Sequence, residues 1–164
     1  MRINESVTIS APPETVWHYL ADPENYLRFM SGITRWEVTG DQANGLGARY
    51  RVLIRVGAAE VGGLIEMIEW EEPYDIAWHS VTGVDQRGRW RIREQDDGRS
   101  RVEFRFAYGV VGGGPGGWLS ELAAAPLLRR QMRRTLQQLK RQVEHEQRRA
   151  DAERRRAERQ TATA

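Results

Sequence analysis

The run Ile3-Asn4-Glu5-Ser6-Val7-Thr8-Ile9, followed by Ala11-Pro12-Pro13-Glu14-x-Val16-Trp17 and then by Asp22-Pro23-Glu24-Asn25-Tyr26, decides the fold. Its first seven residues alternate apolar and polar, the pattern of a strand with one wet face. Pro12-Pro13 then opens a helix, because proline is tolerated in the first helical turn. A second short helix follows Asp22-Pro23, and Phe29, Ile33 and Trp36 lead into the next strand.

The middle of the chain reads as a series of hairpins. Strands are predicted near 33–39, 47–56, 60–70, 75–82, 86–95 and 100–108, separated by Gly40-Asp41, Asn44-Gly45, Gly57-Ala58, Glu72-Pro73, Gly83 and Asp96-Asp97-Gly98. Alternation assigns their faces. Tyr50, Val52, Ile54 and Val56 oppose Arg49, Arg51 and Arg55; Trp90 and Ile92 oppose Arg87, Arg89, Arg91 and Arg93; Val102, Phe104, Phe106 and Tyr108 oppose Arg101, Glu103 and Arg105. A turn at Ala58-Ala59 would pair Val52 with Ile65 and Tyr50 with Met67 and set Arg51 against Glu66. The meander would then bring Trp78 beside Met67 and Trp90, Trp90 beside Phe104, and Arg91 opposite Glu103. A slip of one residue would expose the whole apolar set, so agreement between neighbours supports the faces.

An apolar sheet face needs a cover, and the last helix supplies one. Trp118, Leu122, Ala125, Met132, Leu136, Leu139 and Val143 fall on one stripe of a 3.6-residue period, and the stripe ends where a charged tail begins. From Lys140 to Arg159 there are eight Lys or Arg against five acids, a net +3, while the other residues net −1. We therefore divide the chain into a domain over 1–145 and a charged helical extension over 146–164 that frays near Gln160. With 164 residues and 40% hydrophobic content, one core is expected. No cysteine is present, and the three histidines are too scattered to form a metal cluster by spacing. No apolar run approaches the length of a membrane span and no signal peptide is legible, so a cytoplasmic protein is expected.

The order of strand, proline-started helix and second short helix, above all the Ala-Pro-Pro-Glu-x-Val-Trp to Asp-Pro-Glu run, resembles the START-like (SRPBCC) helix-grip superfamily over roughly residues 1–145. That group includes pollen-allergen relatives, bacterial polyketide cyclases and dehydrases, and lipid-transport proteins. The resemblance implies an α+β helix-grip fold: a curled seven-stranded antiparallel sheet, two short helices after strand 1, and a long C-terminal helix over an apolar cavity. On that basis the ligand-binding candidates are Tyr50, Ile65, Met67, Trp78, Ser80, Trp90, Phe104, Phe106 and Tyr108 from the sheet, with Leu122, Arg129, Met132 and Leu136 from the helix. Thr82 and Gln86 also face inward by parity. Arg129 is the sharpest of these, because a guanidinium in the middle of an apolar stripe needs a partner or a route to solvent near Pro126. Glu69, inward by parity, is a candidate partner.

Three features carry less weight. Gly112-x-Gly114-x-x-Gly117 matches a dinucleotide fingerprint but contains Pro115 and lies outside any βαβ unit; residues 109–117 are read instead as a flexible link that lets the last helix swing. His79 and Glu66 fall on the outer face by parity. The outward arginines 49, 51, 55, 87, 89, 91, 93, 101 and 105 make a basic sheet surface, either simply solvated or facing an anionic partner. The expected function is binding or transport of a small hydrophobic molecule of lipid, isoprenoid or polyketide type, with no catalytic residue, metal or cofactor assigned. The alternatives are a polyketide cyclase or aromatase, against which Ile33 stands where cyclases resemble one another in having a polar group, and an adaptor whose basic face or tail binds nucleic acid or anionic membrane.

Overall fold

Proline chemistry sets the entry into the first helix as the sequence predicts. Pro12 is extended, its carbonyl accepts from the N–H groups of Thr15 and Val16, and Pro13 takes the first position of α1 (Pro13–Ala21). Asp22 ends α1 and its carboxylate accepts from Glu24 N–H at 2.9 Å, starting a 3-10 turn at Pro23–Asn25 that passes into α2 (Tyr26–Phe29). The computed structural model describes residues 2–109 and 115–162, with side chains except at 56, 115–125 and 162.

Seven antiparallel strands form one sheet. They are β1 (Arg2–Ile9), β2 (Ile33–Thr39), β3 (Arg49–Val56), β4 (Ala59–Glu71), β5 (Asp75–Ser80), β6 (Asp85–Glu94) and β7 (Ser100–Gly109), in the order β1-β7-β6-β5-β4-β3-β2. The long helix α3 (Pro115–Ala162) has 48 residues and lies chiefly along β1. This is the α+β helix-grip arrangement expected from the sequence. Among the described residues no helix is long and apolar enough to cross a membrane.

The faces are as alternation assigns them, but two registers differ. Trp90 pairs with Phe104 and Arg91 with Glu103 as expected. In the β3–β4 hairpin the two-residue turn is Gly57-Ala58, with Gly57 at φ +64°, so Val56 pairs with Ala59, Tyr50 with Ile65 and Arg49, not Arg51, with Glu66. The pairing is shifted by two residues, which preserves every face. Trp78 pairs with Met67 but sits opposite Gly88 on β6, while Ile76 takes the place beside Trp90. Between Met67 and Glu69 a bulge admits Ile68 and inverts the parity of the rest of β4. Glu69 therefore points outward and bonds Arg89, correcting its inward assignment, and Trp70 turns inward to meet the Trp17 ring edge-on at 5.3 Å.

Gly88 is a socket. A Cβ there would lie inside the Trp78 indole, so the missing side chain is what lets that ring lie flat on β6. Replacing it with alanine, G88A, is expected to destabilise the protein by about 1–3 kcal/mol through overpacking. Urea unfolding checks this, and an unchanged midpoint would show that the ring has free room.

Candidate functional site

The interior between sheet and α3 is lined by rings in continuous contact. Tyr26 stacks on Trp36 at 3.8 Å, Trp36 meets Tyr50 at 5.4 Å and Trp78 at 6.2 Å, and Trp90 stacks on Phe104 at 4.0 Å. From Phe104 the series continues along β7 through Phe106 and Tyr108, with ring centroids 6.2 and 6.1 Å apart. Alternation along one strand explains this line, since residues two apart share a face.

Burial along that line is graded. Trp90 is 0% and Phe104 1% exposed, Phe106 rises to 8%, and Tyr108 is half-buried. On β5, Trp78 is buried and Ser80 half-buried. One end of the interior is thus closed, and at the other, more open end burial is incomplete at Ser80 and Tyr108 while Gln86 and Phe106 stay buried. Tyr50, Ile65, Met67, Met132 and Leu136 belong to the packed core, Ile65 lying directly opposite Ser80 and beside Tyr50. The indole N–H groups of Trp36 and Trp90 are buried there without a hydrogen-bond partner among the described residues; the Trp90 group lies near the Tyr26 hydroxyl without reaching hydrogen-bond geometry. Burial above all, then the neighbouring Tyr50 phenol, raises the Tyr26 pKa, and burial pushes Tyr50 up to about 12. Both phenols are neutral at ordinary pH. The Tyr50 hydroxyl is already engaged, donating to the Ala43 carbonyl at 2.8 Å.

The polar set at the open end differs from the one read by parity. Ser80 Oγ accepts from the Gln86 backbone N–H at 3.1 Å and reaches the Asp85 carboxylate at 3.5 Å. Gln86 is buried at 7% and pairs across the strands with Tyr108. Thr82, by contrast, is exposed. Arg129 is exposed too, which corrects its inward placement. Among the described residues the buried stripe of α3 is Leu128, Met132, Thr135, Leu136, Leu139 and Val143, so Leu128 takes the inward position one residue earlier and the guanidinium stays hydrated. The Leu122 side chain and the proposed swinging link at 109–117 fall on or next to residues outside the described set.

Several positioning residues escaped the sequence reading. Thr135, fully buried, accepts from Ser31 N–H at 2.9 Å; Gln131 Nε2 donates to the Arg55 carbonyl at 2.7 Å; Lys140 Nζ donates to the Thr8 carbonyl at 2.8 Å. Glu144 accepts from Ser10 N–H, and Gln147 from the Thr15 hydroxyl. These ties clamp α3 lengthwise over the interior. A polar residue recurring on the apolar stripe, as Thr135 does, is the only sequence signal they offer.

The outer face is an ion-pair lattice more than a bare basic surface. Asp75, with its side chain 6% exposed, accepts from Arg91 at 3.2 Å and Arg93 at 2.7 Å, with Arg89 at 3.7 Å. Arg89 also bonds Glu69, Arg49 bonds Glu66, and Arg105 bonds Glu103. Glu69, Glu71 and Asp75 bring carboxylate oxygens within 4.8 Å of one another, a grouping that could hold a cation, but guanidinium groups already neutralise Glu69 and Asp75. Burial pushes the Asp75 carboxyl up, yet the hydrogen bonds and charges of Arg93 and Arg91 outweigh it and hold the pKa below the usual carboxylate range. The pair therefore contributes stability that is present above the unfolded value of about 3.9 and is lost as pH falls through the lower folded value. Substitution D75N should cost about 1–3 kcal/mol at pH 7, because the arginines it abandons remain partly hydrated. It should also flatten the fall in stability as pH drops below the unfolded value of about 3.9; parallel acid-unfolding curves for the two proteins would contradict this.

A family model described as polyketide cyclase / dehydrase and lipid transport matches residues 1–144. Among solved structures, a protein from Thermus thermophilus superposes with a TM-score of 0.74 at 23% identity, over 87% of this chain and 97% of that one. The Zhui aromatase/cyclase from a Streptomyces species gives 0.70 at 19% identity, over 88% and 93%. The di-domain ARO/CYC BexL gives 0.62 at 19% identity, over 88% of this chain and 46% of that one. At these identities the likeness is one of fold. No curated protein matches the sequence.

Proposed function

The chain belongs to the polyketide cyclase / dehydrase and lipid transport family, and from that premise we propose that it binds or carries a small, largely apolar molecule at the open end of the interior. The observation that carries the proposal is the burial gradient along β7 and β5, from fully enclosed rings at Trp90 and Phe104 to half-buried Ser80 and Tyr108. A guest there would lie against Phe106, Tyr108 and the edge of Trp78, with the Gln86 amide and Ser80 hydroxyl able to orient one polar atom. Its affinity would come from apolar area removed from water, at about 25 cal/mol per Å². A molecule of lipid, isoprenoid or polyketide type suits such a lining.

Binding without turnover is the better reading. A dehydrating cyclase needs a group that moves protons near neutral pH. Among the described residues the inward polar side chains at the open end are hydroxyls and an amide, whereas His79 and Glu66 lie paired on the outer face and Ile33 is half-buried and apolar. The fold shared with aromatase/cyclases keeps the enzyme as the second reading.

Extraction of the purified protein into chloroform and methanol, followed by mass spectrometry, should release an apolar compound in near-stoichiometric amount. Titration with the neutral fluorophore N-phenyl-1-naphthylamine should saturate, and S80W, which places a large ring at the open end, should weaken that binding at least tenfold while the thermal midpoint is kept. A clean extract together with non-saturating fluorescence would sink the proposal.

A further inference from the structure

The outward side of α3 carries a second pattern, independent of the interior. From residue 126 to 143 the helix contains Arg129, Arg130, Arg133, Arg134, Lys140 and Arg141 and no acid. Arg134, Arg141, Arg148 and Arg155 recur every seven residues, and Arg130 precedes them by one turn. At 3.6 residues per turn these five lie within an arc of about 60° and extend over about 38 Å of helix. All five are exposed.

Ion pairing ties down some of the other cations of the helix, although Arg129, Arg149 and Arg156 off the line also have no carboxylate partner among the described residues. Off the line, Arg133 is held by Glu5 at 3.2 Å, Lys140 by Glu144 at 3.6 Å and Arg154 by Asp151. On the line, Arg130, Arg134 and Arg148 have no carboxylate partner among the described residues, and Arg141 and Arg155 touch only the backbone carbonyls of Gln137 and Asp151. The acids Glu144, Asp151 and Glu158 also recur every seven residues, but along one flank, and Glu146 and Glu153 fall on the opposite side. From Glu144 onward acids flank the line on both sides, with Arg149 and Arg156 lying between it and Glu146 and Glu153; before Glu144 no acid borders it. Beside its first turns, Ser31, Arg130, Arg134, Gln137, Gln138 and Arg141 border an open groove of about 570 Å³.

We propose that this line of arginines is a sequence-independent docking surface for the phosphodiester backbone of double-stranded DNA. Arginine, which supplies eleven of the twelve Lys and Arg of the helix, pairs bidentately with phosphate oxygens. Over the C-terminal half of the line, a broad anionic membrane would press against the flanking acids as well. It would also want apolar side chains to insert, and beyond Leu127 the helix exposes no large hydrophobic residue. Single strands are bound through aromatic stacking, and the helix has no aromatic residue after Trp118. From Glu153 to Thr161 every residue is exposed, so the end of the helix, which carries Arg155 of the line, is a free rod about 10–12 Å across, while Arg130 to Arg148 lie where the helix is held against the domain. The major groove of B-form DNA, about 12 Å wide, admits such a rod, and the deep, narrow groove of A-form RNA does not.

The test is fluorescence anisotropy with the full-length protein and a fluorescein-labelled 20-base-pair DNA of mixed sequence, from 50 to 200 mM NaCl. Binding with a Kd on the order of 1 μM at low salt is expected, with log K falling against log salt at a slope of about −3 to −4.5 for up to five phosphates neutralised. The triple variant R134Q/R141Q/R148Q should lose most of the binding and make the slope shallower by about 2.7. R51Q/R87Q/R101Q, with the same charge change on the outer sheet face, should leave both nearly unchanged. Circular dichroism should show both variants folded, and N-phenyl-1-naphthylamine binding should be the same in all three proteins. The proposal is overturned by absence of DNA binding at 50 mM salt, by equal losses in the two triple variants, or by preference for a 20-base-pair RNA duplex. It is equally overturned if vesicles with 30% phosphatidylserine are bound and DNA is not, or if the line serves only to pair two copies of the chain, seen as a salt-sensitive dimer without a DNA shift.

Discussion

The inner surface of the sheet carries Trp36, Tyr50, Trp78, Trp90 and Phe104, and it cannot be left in water. Each such ring is worth about 1.5–3 kcal/mol when buried, while each polar tie along α3 is worth about 0.5–1.5. Apolar burial therefore decides that a helix covers the sheet, and the ties at Gln131, Thr135, Lys140, Glu144 and Gln147 decide where along its length it rests. A helix shows only part of its circumference to a sheet, so the stripe from Leu128 to Val143 leaves the rest of α3 to solvent. Closing the interior and presenting a charged outer surface are two consequences of one placement.

Alternation imposes the matching problem on the other side of the sheet. With rings turned in, the intervening arginines are turned out, and the register places Arg89 opposite Arg105 and Arg93 opposite Arg101. Like charges directly across strands repel. The fold answers with carboxylates set between them: Glu69 and Asp75 serve the β6 arginines, and Glu103 serves Arg105. Asp75 can be almost fully buried only because guanidinium groups surround it. A surface that looks basic from composition is thus largely neutralised by geometry.

Those same features mark what was legible in the sequence. Period-two alternation is a local signal, and it placed Trp90 against Phe104 and Arg91 against Glu103 because β6 and β7 are joined by a short turn without a bulge. It failed at Glu69, where one inserted residue, Ile68, inverts parity, and it was off by two residues in β3–β4, where Gly57-Ala58 forms the turn and faces are preserved either way. Arg129 was misplaced because positions 128 and 129 both continue the stripe from residue 125, and only the desolvation of a guanidinium chooses between them. Gly88 was invisible for a different reason. A glycine within a strand records a close approach but does not name the approaching group, here Trp78.

The least legible quantity was the division between core and binding space, because both are written in the same residues. Rings suited to line a cavity are also suited to fill it, and alternation gives direction without depth. Energetics separates the two. Opening the closed end to a guest of about 200 Å³ would mean creating that volume among packed rings, at about 24 cal/mol per Å³, or roughly 5 kcal/mol before any contact is gained. At the Ser80–Tyr108 end the side chains are already partly hydrated, so a guest displaces water instead of core. For the proposed guest, affinity would therefore concentrate where burial is incomplete, and among the inward aromatic residues Phe106 and Tyr108 would weigh more than the larger and better buried Trp90.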